Sequence, residues 1–244
     1  MNTTRTPGFP ATRWTVVMQV YQEGNLQSRE DALGMLCREY WLPLYAFSRR
    51  SGHSSHDAED LTQGFFGYLL ERDLFSAADP DLGRLRTFLL TAFQRYMGDV
   101  RERGLALKRG GGQIHVPLDV DAAERQFAEP AERLTPVELY DQHWALSVLE
   151  GTLDELSAFE AASGRASQFQ VLEPFLNPAS ESMADYPAAA SILGIQEAAA
   201  RKAVSRLRLR FREILRSRIA ATLHSPTPDQ LDEELSALKA ALNL

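Results

Sequence analysis

Cysteine is all but missing from this chain. Cys37 stands alone among 244 residues, which excludes an internal disulfide and any zinc site built on cysteines. It follows Leu36 in an apolar helical stretch and reads as a small buried hydrophobe. No apolar run approaches the length of a membrane span, and MNTTRTPGFPATRW lacks the apolar core of a signal peptide, so a soluble, cytoplasmic protein is expected. No stretch alternates with period two, so few or no strands are expected. There is no repeat of fixed period and no low-complexity tract.

Charge is what the chain does have, and it is segregated. The net charge is −7, yet two arginine-rich segments run against it. Arg84–Arg109 carries seven basic against two acidic residues, a net of +5, and Ile195–Arg218 carries eight against two, a net of +6. Between them, Asp119–Glu160 holds eleven acidic against two basic residues, a net of −9. Solvated helix faces are the plain explanation of either basic run alone. The pair, separated by acidic sequence, suggests contact with nucleic acid at two places and a built-in anionic segment.

Helical periodicity runs through almost the whole chain. A short amphipathic helix is expected at Arg13–Gln22. Arg29–Arg50 follows, with Leu33, Leu36, Tyr40, Leu44 and Phe47 on one face and Pro43 as a bend or break. His56–Glu71 opens on Asp57, Glu59 and Asp60, where negative charge suits a helix N-terminus, and carries Ala58, Leu61, Phe65 and Leu69. After the turn Asp79-Pro80-Asp81 comes the first basic helix, Leu82–Arg103, with Leu85, Phe88, Leu89, Ala92, Tyr96 and Val100 inward. These four helices can bury one another as a small bundle. Gly110-Gly111-Gly112 then opens a polar connector.

Farther along, Val137–Phe159 is amphipathic, with Leu139, Trp144, Leu146, Leu149, Leu153 and Leu156 as its apolar positions. A short helix is expected at Phe169–Leu176, ended by Asn177-Pro178. Pro187–Leu193, a turn at Gly194 and a long helix from Gln196 to Leu223 have the layout of a helix-turn-helix, with Ile192, Ile195, Val204, Leu207 and Phe211 as its core. Glu197, Arg201, Lys202, Ser205, Arg206 and Arg208 would then face a major groove, though Ala198, Ala199 and Ala200 leave few base-reading groups. A last amphipathic segment spans Gln230–Leu242. The expected fold is therefore all-α: two small helical domains, an N-terminal bundle and a C-terminal helix-turn-helix, joined by a long acidic, partly helical connector.

The stretches FPATRWTVV, LCREYWLPLYAFSRRSGHSSHDAEDLTQGFFGYLLERD, ADPDLGRLRTFLLTAF, KRGGG, LTPVELYDQHWALSVLE and LGIQEAAARKAVSRLRLRFREIL, running from Phe9 to Leu215, carry a family likeness. In this order they resemble the extracytoplasmic-function sigma factors of bacterial RNA polymerase, in a Planctomycetes-type branch. The resemblance implies a region-2-like domain over 1–112, an acidic connector over 113–180, a region-4-like helix-turn-helix over 181–224 and a C-terminal tail over 225–244. It implies core polymerase as partner, through its β′ clamp helices and β flap, together with promoter DNA. An anti-sigma factor or other regulator is compatible with it. No cofactor and no membrane are implied.

On that resemblance Asp57, Asp60 and Gln63 would meet arginines of the clamp helices. The first basic helix and the loop after it would capture and melt the minus-ten element through Arg84, Arg86, Gln94, Arg95, Arg101, Arg103, Lys108 and Arg109. Tyr96 is a candidate for stacking an unpaired base, although its place on the apolar stripe favours burial. The helix-turn-helix would read the minus-thirty-five element as duplex. Gly64 departs from the family pattern, which has a glutamate there, and Gly67 follows one turn later.

Two other classes are open. His53, His56, Asp57, Glu59 and Asp60 cluster closely enough to suggest a hydrolytic metal site, but no HExxH or second histidine pair accompanies them. KRGGGQ shares only its glycines with a phosphate loop. A catalytic site is not expected. The main alternative is a helix-turn-helix DNA-binding regulator that does not bind RNA polymerase, which the departure at Gly64 favours.

Overall fold

The computed structural model describes residues 26–72, 84–106, 134–177, 185–223 and 226–242, and among these residues there is no strand. The chain is all-α. The expected helix at Arg13–Gln22, the turn at 79–81, Lys108, Arg109 and positions 119–133 of the acidic stretch lie outside the described residues. The helices are α1 (Leu26–Arg50), α2 (Ser55–Arg72), α3 (Leu85–Ala106), α4 (Pro136–Ala162), α5 (Ala166–Leu172), α6 (Tyr186–Leu193), α7 (Glu197–Ala221) and α8 (Pro228–Ala241), with a 3-10 turn at Glu173–Leu176 after α5. Pro43 lies inside a single helix rather than dividing it.

Short polar residues set the helix starts. The Ser54 hydroxyl accepts from Asp57 N at 3.1 Å and donates to the Asp57 carboxylate at 2.7 Å. Thr135 and Glu138 satisfy each other's backbone N–H groups across the first turn of α4, and the bonds that the Thr135 N–H and hydroxyl donate to the Glu138 carboxylate hold its pKa below the ordinary value. Asp185 accepts from Ala188 N at 2.8 Å to start α6, and Thr227 with Gln230 forms a full capping box on α8. Each orphan N–H satisfied in this way lets a helix begin where tertiary packing needs it.

The chain divides into two units, residues 1–147 with 219–244 and residues 148–218. In the first, Leu36, Tyr40, Leu44 and Phe47 of α1 are buried, as are Phe65 and Leu69 of α2 and Leu85, Leu89 and Phe93 of α3. Phe93 packs edge-on against Phe65 and Phe47, with ring centroids 5.1 and 6.3 Å apart. Arg50 Nε donates to the Leu134 carbonyl at 2.6 Å, fastening the end of α1 to the start of α4. Cys37 is buried, and that burial pushes its thiol pKa up to about 12.

The second unit closes around Leu156, Phe169, Leu172, Phe175, Tyr186, Val204 and Leu207, with Ala189, Ala190, Ala200 and Ala203 between α6 and α7. Alanines allow the two helices to approach closely but bury little area themselves. Residues 148–177, assigned to the connector from sequence, supply the large side chains that complete this core.

Two expected core positions are exposed. Ile192 is 72% exposed, because the inward stripe of α6 steps through Tyr186, Ala189, Ala190 and Leu193 and leaves Ile192 off it. Leu146 is 39% exposed, since α4 buries Tyr140, Trp144, Val148, Thr152, Leu156 and Glu160 at steps of four. Thr152 and Glu160 interrupt that stripe's hydrophobicity and disguise it in the sequence.

Candidate nucleic-acid interface

The helix-turn-helix is built from one capped short helix, one turn and one long helix. Gly194 takes φ 64°, the left-handed conformation that ends α6, and its N–H reaches back to the Ala190 and Ser191 carbonyls. Ile195 N donates to the Ala190 carbonyl at 3.0 Å, and α7 begins two residues later at Glu197. Val204 and Leu207 turn inward, whereas Lys202, Ser205 and Arg206 are exposed.

Several cations of this face already have local partners. The Arg201 guanidinium donates to Glu197 Oε1 at 2.7 and 2.9 Å and lies over the Tyr186 ring, 4.2 Å from its centroid. Arg201 is nevertheless 58% exposed, so it stands at the surface in a fixed pose. Arg208 differs. It donates to the Phe175 carbonyl at 2.8 and 3.2 Å, closing the end of the 3-10 turn, and this bond draws it away from the exposed cations. Arg210 lies over Phe159 and pairs with Glu213 at 3.0 Å, and Arg212 donates to the Arg208 carbonyl at 3.2 Å. Among the described residues, Lys202 and Arg206 stand exposed outside these pairs.

The first basic helix is divided between surface and interior. Gln94, Arg95 and Arg101 are exposed. Arg103 falls within α3, with its side chain outside the described residues. Arg86 is only 12% exposed and is gripped from several sides. It donates to Glu234 at 2.7 and 3.3 Å, pairs with Asp141, and lies 4.7 Å above the Trp144 ring. Arg84 bonds Glu233 and Glu234, each at 3.0 Å. Both are expected DNA contacts, and in this structure Arg84 meets carboxylates of α8 while Arg86 meets carboxylates of α4 and α8. Sequence offers little sign of this pairing, because Arg86 and Glu234 are 148 positions apart.

Burial opposes the charge on Arg86, but the Glu234 hydrogen bond and the charges of Glu234 and Asp141 outweigh it and raise its pKa. Burial raises the Asp141 pKa despite the neighbouring Arg86.

On α2, Asp57 and Asp60 are exposed, with Asp57 engaged by the Ser54 cap and Asp60 Oδ2 3.8 Å from His56 Nε2. Gln63 is not presented with them: it is buried and donates to Glu59 at 3.0 Å. The three-residue face read from spacing is thus a two-carboxylate face. Tyr96 is half-buried, its ring 5.8 Å from Phe65 and 5.2 Å from Tyr68. Among the described residues no three or more His, Cys, Asp or Glu side chains converge as a metal would require. No described helix is long and apolar enough to cross a membrane.

No protein-family model matches this chain, and no curated protein or solved structure matches it.

Proposed function

We propose that this chain is a cytoplasmic sigma factor: it directs core RNA polymerase to specific promoters, aids their melting, and has no catalytic site of its own. The observation that carries the reading is the helix-turn-helix whose long second helix exposes Lys202, Ser205 and Arg206 beside a fixed Arg201. An amphipathic helix with cations at these positions meets phosphates and base edges in a major groove. The exposed Arg95 and Arg101 of α3 supply a second cationic surface for the minus-ten element, and exposed Asp57 and Asp60 supply the clamp-binding carboxylates. The order of sequence motifs from Phe9 to Leu215 supports all three assignments together. An anti-sigma factor or other regulator is compatible with the same surfaces.

Transcription in vitro with core polymerase, followed by mapping of the start sites, tests the proposal. Defined starts that require this chain support it; their absence at any promoter rejects it. The second reading, a helix-turn-helix regulator that never engages polymerase, is favoured by the inward Gln63, which reduces the acidic docking face. Asp60→Arg separates the two. A sigma factor carrying it loses co-purification with core polymerase while retaining its helical content, whereas a polymerase-independent regulator never co-purifies.

A further inference from the structure

We propose that helix α8 is an intramolecular competitor of DNA: it holds the guanidinium groups of Arg84 and Arg86 with its own carboxylates, and DNA phosphate displaces it. This inference rests on the DNA-binding reading above and adds a regulatory contact to it. Residues 226–244 contain Asp229, Asp232, Glu233 and Glu234 against Lys239, a net of −3. Two of those carboxylates sit on the two arginines that open the first basic helix. Glu233 and Glu234 each meet Arg84 at 3.0 Å, and Glu234 takes Arg86 at 2.7 Å.

The contact is graded from inside to outside. Glu234 is fully buried, between Leu231 and Leu238 on the apolar side of α8. Glu233 is 65% exposed and Arg84 34% exposed, so their pair lies at the solvent margin. Arg86 keeps a second carboxylate, Asp141, and the Trp144 ring when α8 leaves, whereas both carboxylates described on Arg84 belong to α8. Arg84 is therefore the cation that α8 withholds. An interface seated on ion pairs is open to replacement by another polyanion, because phosphate oxygens present the same acceptors to a guanidinium fork.

The test compares the full chain with one ending at Ser225, using unrelated duplex DNA and, separately, heparin as a polyanion without base sequence. Removing α8 is expected to tighten DNA binding about five- to tenfold at about 50 mM salt and to steepen the salt dependence by about one unit. Arg84→Ala in the shortened chain cancels most of the gain. If the shortened chain fails to fold, hydrogen exchange on the intact protein decides: saturating DNA is expected to reduce the protection of 228–241. Equal DNA affinity of both chains with unchanged α8 protection overturns the competitor and leaves DNA binding standing. An Arg84-dependent gain for heparin, with no duplex binding by either chain, upholds the displacement of α8 and removes the DNA reading instead.

Discussion

Gly64 of α2 lies beneath the hydroxyl of Tyr96 on α3. A Cβ at position 64 would overlap Tyr96 Oη and come within 3.4 Å of its Cζ, whereas one at Gly67, a turn later, meets nothing within 4 Å. Both glycines weaken a helix interior in the sequence, but only Gly64 has a packing reason. Gly67→Ala is expected to raise stability by about 0.5–1 kcal/mol through helix propensity. Gly64→Ala gains the same term but must shift the half-buried Tyr96 ring, so its net gain is smaller than that of Gly67→Ala. Gly64→Glu places a larger side chain beneath the same hydroxyl and should be less stable than Gly64→Ala. Urea midpoints decide; equal stabilisation at both sites would remove the close approach.

Glu234 and Glu233 are adjacent in sequence and opposite in burial. Glu234→Ala leaves buried Arg86 short of a carboxylate and is expected to cost about 3 kcal/mol or more. Glu233→Ala, at a pair near solvent, should cost under about 1 kcal/mol. Denaturation of both variants is the check, and similar losses would contradict the burial of the Arg86–Glu234 pair.

His143 gives the fold an acid sensitivity. Burial depresses its pKa from the ordinary 6.5 to about 4, so the folded state holds it neutral. Between these pH values the unfolded chain binds the extra proton. The contribution is therefore complete above about pH 6.5 and is lost as pH falls through 4, with a total of about 3 kcal/mol. His143→Leu should flatten this part of the stability–pH curve while the carboxylates titrate in both proteins. Parallel curves for the two would refute it.

Cys37 should be inert. With its thiol pKa pushed up to about 12 and its side chain 1% exposed, it is protonated and shielded at pH 8. Labelling by a disulfide-exchange reagent is expected to follow the rate of unfolding and to become fast in denaturant. Labelling of the native protein at the rate of a free thiol would contradict this.

Within the helix-turn-helix, Arg201 and Arg208 should respond differently. On the proposed function Arg201→Ala costs about 1–3 kcal/mol at a cognate promoter and relaxes the preference at one or two bases. Arg208→Ala breaks the bonds to the Phe175 carbonyl and should lower stability without changing which promoters are chosen. A promoter library transcribed with each variant, beside a melting curve, distinguishes selectivity from folding.

The amino-acid order carries the described helices and their ends to within a few residues, because period, caps and the left-handed Gly194 are local properties that each segment brings with it. It also determined that α7 would be cationic and amphipathic, with Val204 and Leu207 inward. Which cations reach solvent depends on how distant helices pack. Arg84, Arg86, Arg95 and Arg101 look alike along the chain, but α4 and α8 bring Asp141, Glu233 and Glu234 to the first two and leave the others exposed. Gln63 and Gly64 likewise take their meaning from Glu59 and Tyr96. A side chain's partner across 148 residues depends on how distant helices pack, and that information is spread over the whole core rather than written at either end of the pair.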